Sequence, residues 1–367
     1  MEGTQPPQAE RAFKYFDFYG SMRSHKMMLE DMARMKAYHS AIFNNKSEMI
    51  ADKVVLDVGA GTGVLSVWAA KAGAKHVYAV EASNAVQLAR RLVQSSNLSD
   101  VVTIIHSKVE EVEIPEPVDV IVSEWMGLFL LKESMFDSVA YARDKWLKPG
   151  GLMLPSRATI LLGLYAPEND SDRTDFVRAK LEKEIAEWNE TVTNLQGLNV
   201  DYSGFTDQVV QDWSDYFFKN SIRVNYLSPN NLASAPQKVL EFDCATVDPT
   251  ALIQFSQDFQ YTISKHAEVK GFLGWFTTDF PNGVVLDTGP GPTYSHWGQQ
   301  LYPLKESLKV APGDQVVGTI TVSRDPDEPR FNIIELKYQV GKGPEQTALF
   351  NMGDVQHLDQ GSKNVFS

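Results

Sequence analysis

The stretch V-L-D-V-G-A-G-T-G, residues 55–63, leads from an apolar strand signal into three glycines spaced by single residues. Val54 to Val58 is a short apolar run, and the helical stretch Val64 to Ala72 follows the glycines. Gly59, Gly61 and Gly63 therefore stand between a strand and a helix, where a missing Cβ lets the backbone turn tightly and approach a bound molecule. The dinucleotide fingerprint G-x-G-x-x-G fails because Val64 holds the place of its third glycine, and the phosphate-loop motif fails for want of Gly-Lys-Ser/Thr. What remains is a nucleoside without a pyrophosphate. Glu81 ends the next strand signal, Val77 to Val80, where an acid can accept hydrogen bonds from ribose hydroxyls.

Outward from this unit the alternation continues, with a helical pattern from about Ser83 to Ser96 and strand signals at Val101 to Ile105 and Val118 to Val122. Strands spaced by helices predict an α/β fold with a parallel sheet covered on both faces. Upstream, Ala12 to about Asn45 reads as helix broken near Gly20, with Met28, Met32 and Met35 on one face expected to pack in the core. Downstream, residues 168–235 read as helical. Val177, Leu181, Ile185, Trp188, Val192 and Leu195 recur at steps of three and four before Gly197, a C-cap candidate. Val209, Trp213 and Phe217 form a second set. That stripe packs either on its own domain or on a dimer partner. From about residue 236 the runs Gly271 to Thr277, Asp314 to Val322 and Phe331 to Val340 alternate between glycine, proline and aspartate breaks, an all-β region of sandwich or barrel type.

A chain of 367 residues with 43% hydrophobic and 22% charged residues is an ordinary globular composition with room for two domains. No apolar run approaches the ~18 residues of a membrane span, so no membrane role is expected. The polar opening M-E-G-T-Q-P-P-Q-A-E lacks signal-peptide features, and residues 1–10 are expected to form a flexible tail. Cys244, the single cysteine, cannot form an internal disulfide, which fits a reducing intracellular setting. The net charge of −13 argues against direct nucleic-acid binding and for cationic partners. Seven histidines and one cysteine show no ligand spacing, so no metal is implied.

The stretch S-E-W-M-G-L-F-L-L-K-E, residues 123–133, puts Glu124 and Glu133 at the two ends of an apolar loop, directly after a buried-strand signal. Carboxylates in such surroundings need a partner. The glycine loop and its acid resemble the S-adenosylmethionine site of class I methyltransferases. Y-F-D-F-Y-G-S-M-R-S-H at 15–25, M-L-E-D-M-A-R at 28–34 and Y-S-H-W-G-Q-Q at 294–300 narrow the match. With the two-glutamate loop, they resemble the protein arginine N-methyltransferases in order and spacing over nearly the whole chain. Met28, Met126 and Met135 are similar to those of the type I branch, which makes asymmetric dimethylarginine.

The resemblance implies a class I (Rossmann-like) methyltransferase domain with N-terminal helices over 11–155. It implies a β-barrel substrate domain over 156–367, with a helical dimerisation arm inserted at about 168–235 and a ring-shaped homodimer. It implies S-adenosyl-L-methionine as cofactor and S-adenosyl-L-homocysteine as product. Arg34 would meet the cofactor's carboxylate, Asp57, Gly59 and Gly61 its methionine end, Glu81 and Ala82 its ribose, and Glu110 its adenine, with His25, Met28 and Glu124 also lining that site. Tyr15, Phe16 and Tyr19 would fold over the cofactor. Glu124 and Glu133 would grip the substrate arginine, with Met28, Met126, Met135 and Trp297 around it, and His296 would reach in beside Asp31. Histones and Arg/Gly-rich RNA-binding proteins are the implied substrates, in cytoplasm and nucleus. Two positions depart from the family pattern: Ser295 replaces a threonine, and Leu128 stands where a tyrosine is common.

The two-acid loop also has a chemical reading of its own. A guanidinium stays protonated and is a poor nucleophile. Placed about 4 Å from a cationic methyl donor it is repelled by roughly 4 kcal/mol at an effective dielectric near 20, about a thousandfold in rate. Paired carboxylates offset that repulsion and aim one nitrogen. Glycoside hydrolysis also uses two acids but needs neither glycine loop nor ribose acid. Other readings are a methyltransferase of another substrate and a cofactor-binding scaffold without catalysis. Glu110 can equally be a surface charge, and His25 a structural histidine.

Overall fold

The computed structural model describes residues 15–167 and 175–358; the expected tail and the first residues of the expected arm lie outside them. Residues 15–19 are helical, and α1 (Met22–Glu30), α2 (Met32–Phe43) and α3 (Lys46–Met49) lead into β1 (Val54–Val58). Every residue of β1 is buried, as in a strand covered on both faces. Then come α4 (Val64–Lys71), β2 (His76–Glu81), α5 (Val86–Ser95), β3 (Val102–His106), β4 (Val118–Val122), α6 (Phe136–Trp146) and β5 (Leu147–Leu154). The sheet order is β3-β2-β1-β4-β5, all parallel. The winding direction reverses between β1 and β4, which makes a crevice at the carboxyl ends of these strands. Asp57 stands there between Ala79 of β2 and Val122 of β4. The glycine loop and the two-glutamate loop thus leave the sheet side by side.

The second unit begins with β6 (Arg157–Tyr165), carries α7 (Asp175–Gln196) and α8 (Thr206–Phe218), and continues as β7 (Asn220–Val224), β8 (Gln237–Asp243) and β9 (Gln254–Thr262). It ends with β10 (Ala267–Asp279), β11 (Val285–Asp287), β12 (Gln299–Val310), β13 (Gln315–Arg324), β14 (Asn332–Val340) and β15 (Gln346–Leu358). Their order, β8-β6-β10-β12-β7-β15-β14-β13-β9 with β11 on β10, curls into a barrel. Phe259, Tyr261, Phe272, Tyr302, Tyr338 and Phe350 pack in its interior, ring against ring. At the seam between β8 and β9 a side chain replaces strand pairing: Gln237 accepts the Gln260 N–H at 3.1 Å and donates back to the Gln260 carbonyl.

Three expectations change. The N-terminal helix breaks at Asp31 as well as near Gly20, because Asp31 caps α2 by accepting the Arg34 N–H. That break resets the helical phase, so Met28 is buried while Met32 is 54% exposed, and the three methionines do not share a core face. The helical segment ends at Phe218, and 220–224, inside the expected arm, is the barrel strand β7 between β12 and β15. Of the arm's stripe, Val177, Leu181, Trp213 and Phe217 pack on Leu273 and Trp275 of the barrel. Its far end leaves Leu198 (72% exposed) and Phe205 (56%) in solvent.

One apolar cluster runs without interruption from Ile42 and Val55 through Trp125 and Phe129 to Phe272 and Tyr302. Phe129, in the two-glutamate loop, is the plug between the two units, edge-on to Tyr302 at 5.6 Å. It fits because residue 274 is glycine: a Cβ there would lie 2.2 Å from the Phe129 ring. Gly274→Ala should therefore cost about 1–3 kcal/mol, read as a lowered denaturant midpoint. An unchanged midpoint would show that the plug can shift freely.

Candidate functional site

Gly59 and Gly61 both have left-handed φ values, 72° and 56°. A Cβ would come 2.2 Å from Met135 Cε at Gly59 and 3.0 Å from His25 Cε1 at Gly61, and with these φ values a side chain at either place would be strained. Glu81 ties the loop down: Oε2 accepts the Gly61 N–H and Oε1 the Ser83 N–H, both at 2.7 Å. Ala82, half-buried, separates the two. His25 is buried, and burial lowers its pKa despite the hydrogen bond to Tyr19. The neutral ring donates Nε2–H to the Tyr19 carbonyl at 2.8 Å.

Asp57 is fully buried; Oδ2 accepts the Ser66 hydroxyl at 2.5 Å, and Oδ1 has no partner among the described residues. Burial raises its pKa to about 7, with nearby Glu81 adding to the rise and Ser66 opposing it. An orphaned acceptor between two strand ends, beside a loop without side chains, is a fitting receptor for the cationic end of S-adenosylmethionine. Among the described residues, no hydrogen bond joins Glu110 to this cluster. It is exposed and accepts the Ser138 hydroxyl at 2.6 Å on α6, whose preceding residue Met135 covers Gly59.

The two-glutamate loop is held at both ends. Ser123 donates its hydroxyl to the Val58 carbonyl at 2.7 Å, and its own carbonyl accepts Tyr38 Oη–H at 2.8 Å. The Met126 carbonyl accepts Trp297 Nε1–H at 2.7 Å, while half-buried Leu128 offers no polar group. Phe129, Leu130, Glu133 and Ser134 all have positive φ, between 50° and 81°, a conformation that bulky residues hold only when packing enforces it. Glu124 Oε2 accepts Arg34 Nε–H at 2.9 Å, and Arg34 Nη1 donates to the Met28 carbonyl at 2.9 Å. Glu133 Oε2 accepts two phenols, Tyr15 at 2.9 Å and Tyr19 at 2.8 Å. Burial pushes the Glu133 pKa up and the phenols pull against it, for a net rise. Burial and Glu133 push both tyrosines well above their usual range, so they remain donors. Among the described residues, Oε1 of neither glutamate makes a hydrogen bond.

Asp31, fully buried, joins the barrel to the helices. Its Oδ2 accepts both His296 Nδ1–H at 2.8 Å and the His296 backbone N–H at 2.9 Å, and Oδ1 accepts the Arg34 N–H at 3.0 Å. Burial raises the Asp31 pKa, but these hydrogen bonds outweigh it and hold the group below the usual carboxylate range. Burial lowers the His296 pKa although Asp31 opposes the shift, so the ring is neutral with its proton on Nδ1. Trp297 lies against it, ring centroids 3.9 Å apart.

Tyr19 links the halves, with its carbonyl at His25 beside the glycine loop and its hydroxyl on Glu133. Sequence reasoning did not single out Ser66, Ser123, Tyr38 or Arg330. Ser66 and Tyr38 act through a hydroxyl whose neighbours carry no pattern, and Ser123 opens a stretch that was read for its two glutamates. Arg330 bonds to Glu133 across 197 positions. Among the described residues no group of His, Cys, Asp and Glu is placed to hold a metal.

Residues 175–343 match the arginine methyltransferase oligomerization subdomain, and residues 55–151 match a methyltransferase domain. Protein arginine N-methyltransferase 6 of Xenopus tropicalis is 38% identical over 352 residues, 94% of this chain and 97% of the relative. Protein arginine N-methyltransferase PRMT10 of Arabidopsis thaliana is 37% identical over 89% of this chain and 87% of its own length. The crystal structure of the Arabidopsis thaliana protein arginine methyltransferase 10, a uniquely open conformation, superposes with a TM-score of 0.84 at 34% identity, over 92% of this chain and 99% of that one. A chain of the Trypanosoma brucei PRMT1 enzyme–prozyme heterotetrameric complex with AdoHcy gives 0.77 at 30% identity, over 92% of this chain and all of that one (100%). The chain belongs to the protein arginine N-methyltransferase family and is an S-adenosylmethionine-dependent enzyme that methylates arginine.

Proposed function

We propose that the enzyme is of type I, forming mono- and asymmetric dimethylarginine on histones and Arg/Gly-rich proteins, and that Glu124 and Glu133 are the guanidinium clamp. The observation that carries this reading is the division of labour within each acid: Oε2 is bound by the protein, and among the described residues Oε1 is left for another donor. S-adenosylmethionine, when bound, supplies a methyl group on a sulfonium. Arg34, Asp57, Gly59, Gly61 and Glu81 would hold it, with His25, Met28 and Ala82 alongside and Glu110 at the rim. The clamp draws the guanidinium's positive charge to the edges it grips, away from the attacking nitrogen, and its negative charge lowers the repulsion between two cations. Buried Met126 and Trp297, with half-buried Met135, keep water out and strengthen that attraction. His296, neutral and held by Asp31 at Nδ1, presents Nε2 as an acceptor for the proton that methylated guanidinium releases.

We further propose a homodimer in which the exposed end of the α7–α8 arm, with Leu198, Tyr202 and Phe205, meets a second copy. A cytoplasmic and nuclear location is proposed as well, supported by the single, buried Cys244.

Incubation with an Arg/Gly-rich peptide should give asymmetric dimethylarginine by mass spectrometry; symmetric product would reject the type I assignment. Glu133→Gln should keep cofactor affinity and lower kcat by about a hundredfold or more. Unchanged turnover would remove Glu133 from the clamp.

Asp57 generates a pH dependence. Its folded pKa, about 7, stands above the unfolded carboxylate value near 3.9, so the folded form binds the extra proton. The associated stability is complete at pH values below about 4 and is lost as the pH rises towards 7. In the ligand-free protein, Asp57→Asn should gain on the wild type from pH 5 to pH 8 in denaturant titrations, by at most roughly 3 kcal/mol. It should bind cofactor more weakly in calorimetry. A difference independent of pH would contradict the uncompensated burial of Asp57.

Phe205→Glu with Leu198→Glu should shift sedimentation from dimer to monomer without unfolding. Cutting out 168–235 is no substitute, since β7 belongs to the barrel. A dimer that survives both charges would place the interface elsewhere.

A further inference from the structure

Glu133 ends the loop with φ at 81°, and the contacts that hold it there come from the barrel, from the turn between β13 and β14. The Glu133 N–H donates to the Arg330 carbonyl at 2.6 Å, and Arg330 Nη1 donates to the Glu133 carbonyl at 2.9 Å. The next hydroxyl along, Ser134 Oγ, donates to the Pro329 carbonyl at 2.5 Å. The same guanidinium lies over the ring of Tyr15, with Cζ 3.7 Å from the centroid, and Tyr15 is one of the two phenols on the Glu133 carboxylate. Arg330 therefore touches the acid's backbone and the donor that caps its side chain.

We propose that Arg330 is a positioning residue for arginine methylation: it holds Glu133 and Tyr15 as one unit, so that the clamp carboxylate is aimed and kept charged. This rests on the assignment of Glu133 to the clamp. The plainer reading of Arg330 is a solvated charge in the turn D-P-D-E-P-R-F, residues 325–331. Three contacts on two partners, 197 positions away at Glu133 and 315 away at Tyr15 (330 − 15), argue against it. The planar guanidinium is suited to both tasks, stacking on a ring while its edge donates a hydrogen bond. A phenol donating to a carboxylate favours its charged form. Once Tyr15 is freed, Glu133 keeps its burial and loses part of that support, so its ionisation moves to higher pH.

The test uses the full chain with Arg330→Gln, Tyr15→Phe and the double variant, read as kcat and kcat/KM across pH with an Arg/Gly-rich peptide. Arg330→Gln should lower kcat by about tenfold to a hundredfold. It should also move the acid limb of the profile to higher pH. The Tyr15→Phe and Arg330→Gln losses should combine to much less than their product, because both act on one carboxylate. Cofactor affinity by calorimetry establishes that each variant is folded, and Arg330→Lys, which keeps charge and a donor but not the planar stack, replaces Arg330→Gln if that variant does not fold. An acid limb that stays in place, or losses that multiply, would overturn the proposal. If Glu133→Gln itself retains turnover, the clamp assignment fails instead, whatever Arg330 does.

Discussion

The site is governed by the cost of gathering carboxylates away from water. Asp31, Asp57, Glu81, Glu124 and Glu133 converge on one crevice, yet Arg34 is the single cationic side chain with a hydrogen bond to any of their carboxylates among the described residues. Each acid is otherwise supported by neutral donors: backbone N–H groups for Glu81, hydroxyls for Asp57 and Glu133, and a neutral imidazole for Asp31. Neutral donors stabilise a charge without cancelling it. The crevice thus keeps a surplus of negative potential, suited to two ligands that are both positive where they meet. The partly unmet demand at Asp57 is what a structure built for cations, rather than for its own stability, is expected to carry.

The barrel has a share in this beyond covering one side. Trp297 fixes Met126, Phe129 is seated against Gly274, and the β13–β14 turn fixes Glu133, so three points on the second unit set the path of a loop that springs from the first. With a continuous apolar core between the units, the distance between the two acids is set by packing rather than by the loop's own preferences. The positive φ values along the loop are the visible cost of that arrangement.

Much of this could be read in the chain. The expected strand signals at 54–58 and 118–122 coincide with β1 and β4, since a buried parallel strand is an uninterrupted apolar run. The glycines and Glu81 were legible because backbone approach and strand-end acids have fixed places in such a sheet. The break at Asp31 was missed because apolar periodicity continues across it, and a helix cap is a local hydrogen bond that periodicity does not register. Strand β7 was missed because five residues directly after a long helix carry too short a pattern to stand out. Arg330 was out of reach for another reason: its meaning lies in the ring beneath it, and that ring is at the opposite end of the chain.

The junction at Asp31 has a consequence for how this family can vary. Glu30 ends α1 and Met32 starts α2, so one residue separates two helices that both face the site. An inserted or deleted residue within the first turn of α2 would rotate the remainder of that helix by about 100°, turning Arg34 away from Glu124. Substitutions at exposed positions such as Met32 leave that phase untouched. Here the chain is free in composition but not in length, so lineages of this enzyme should accumulate replacements across the junction while keeping its residue count fixed.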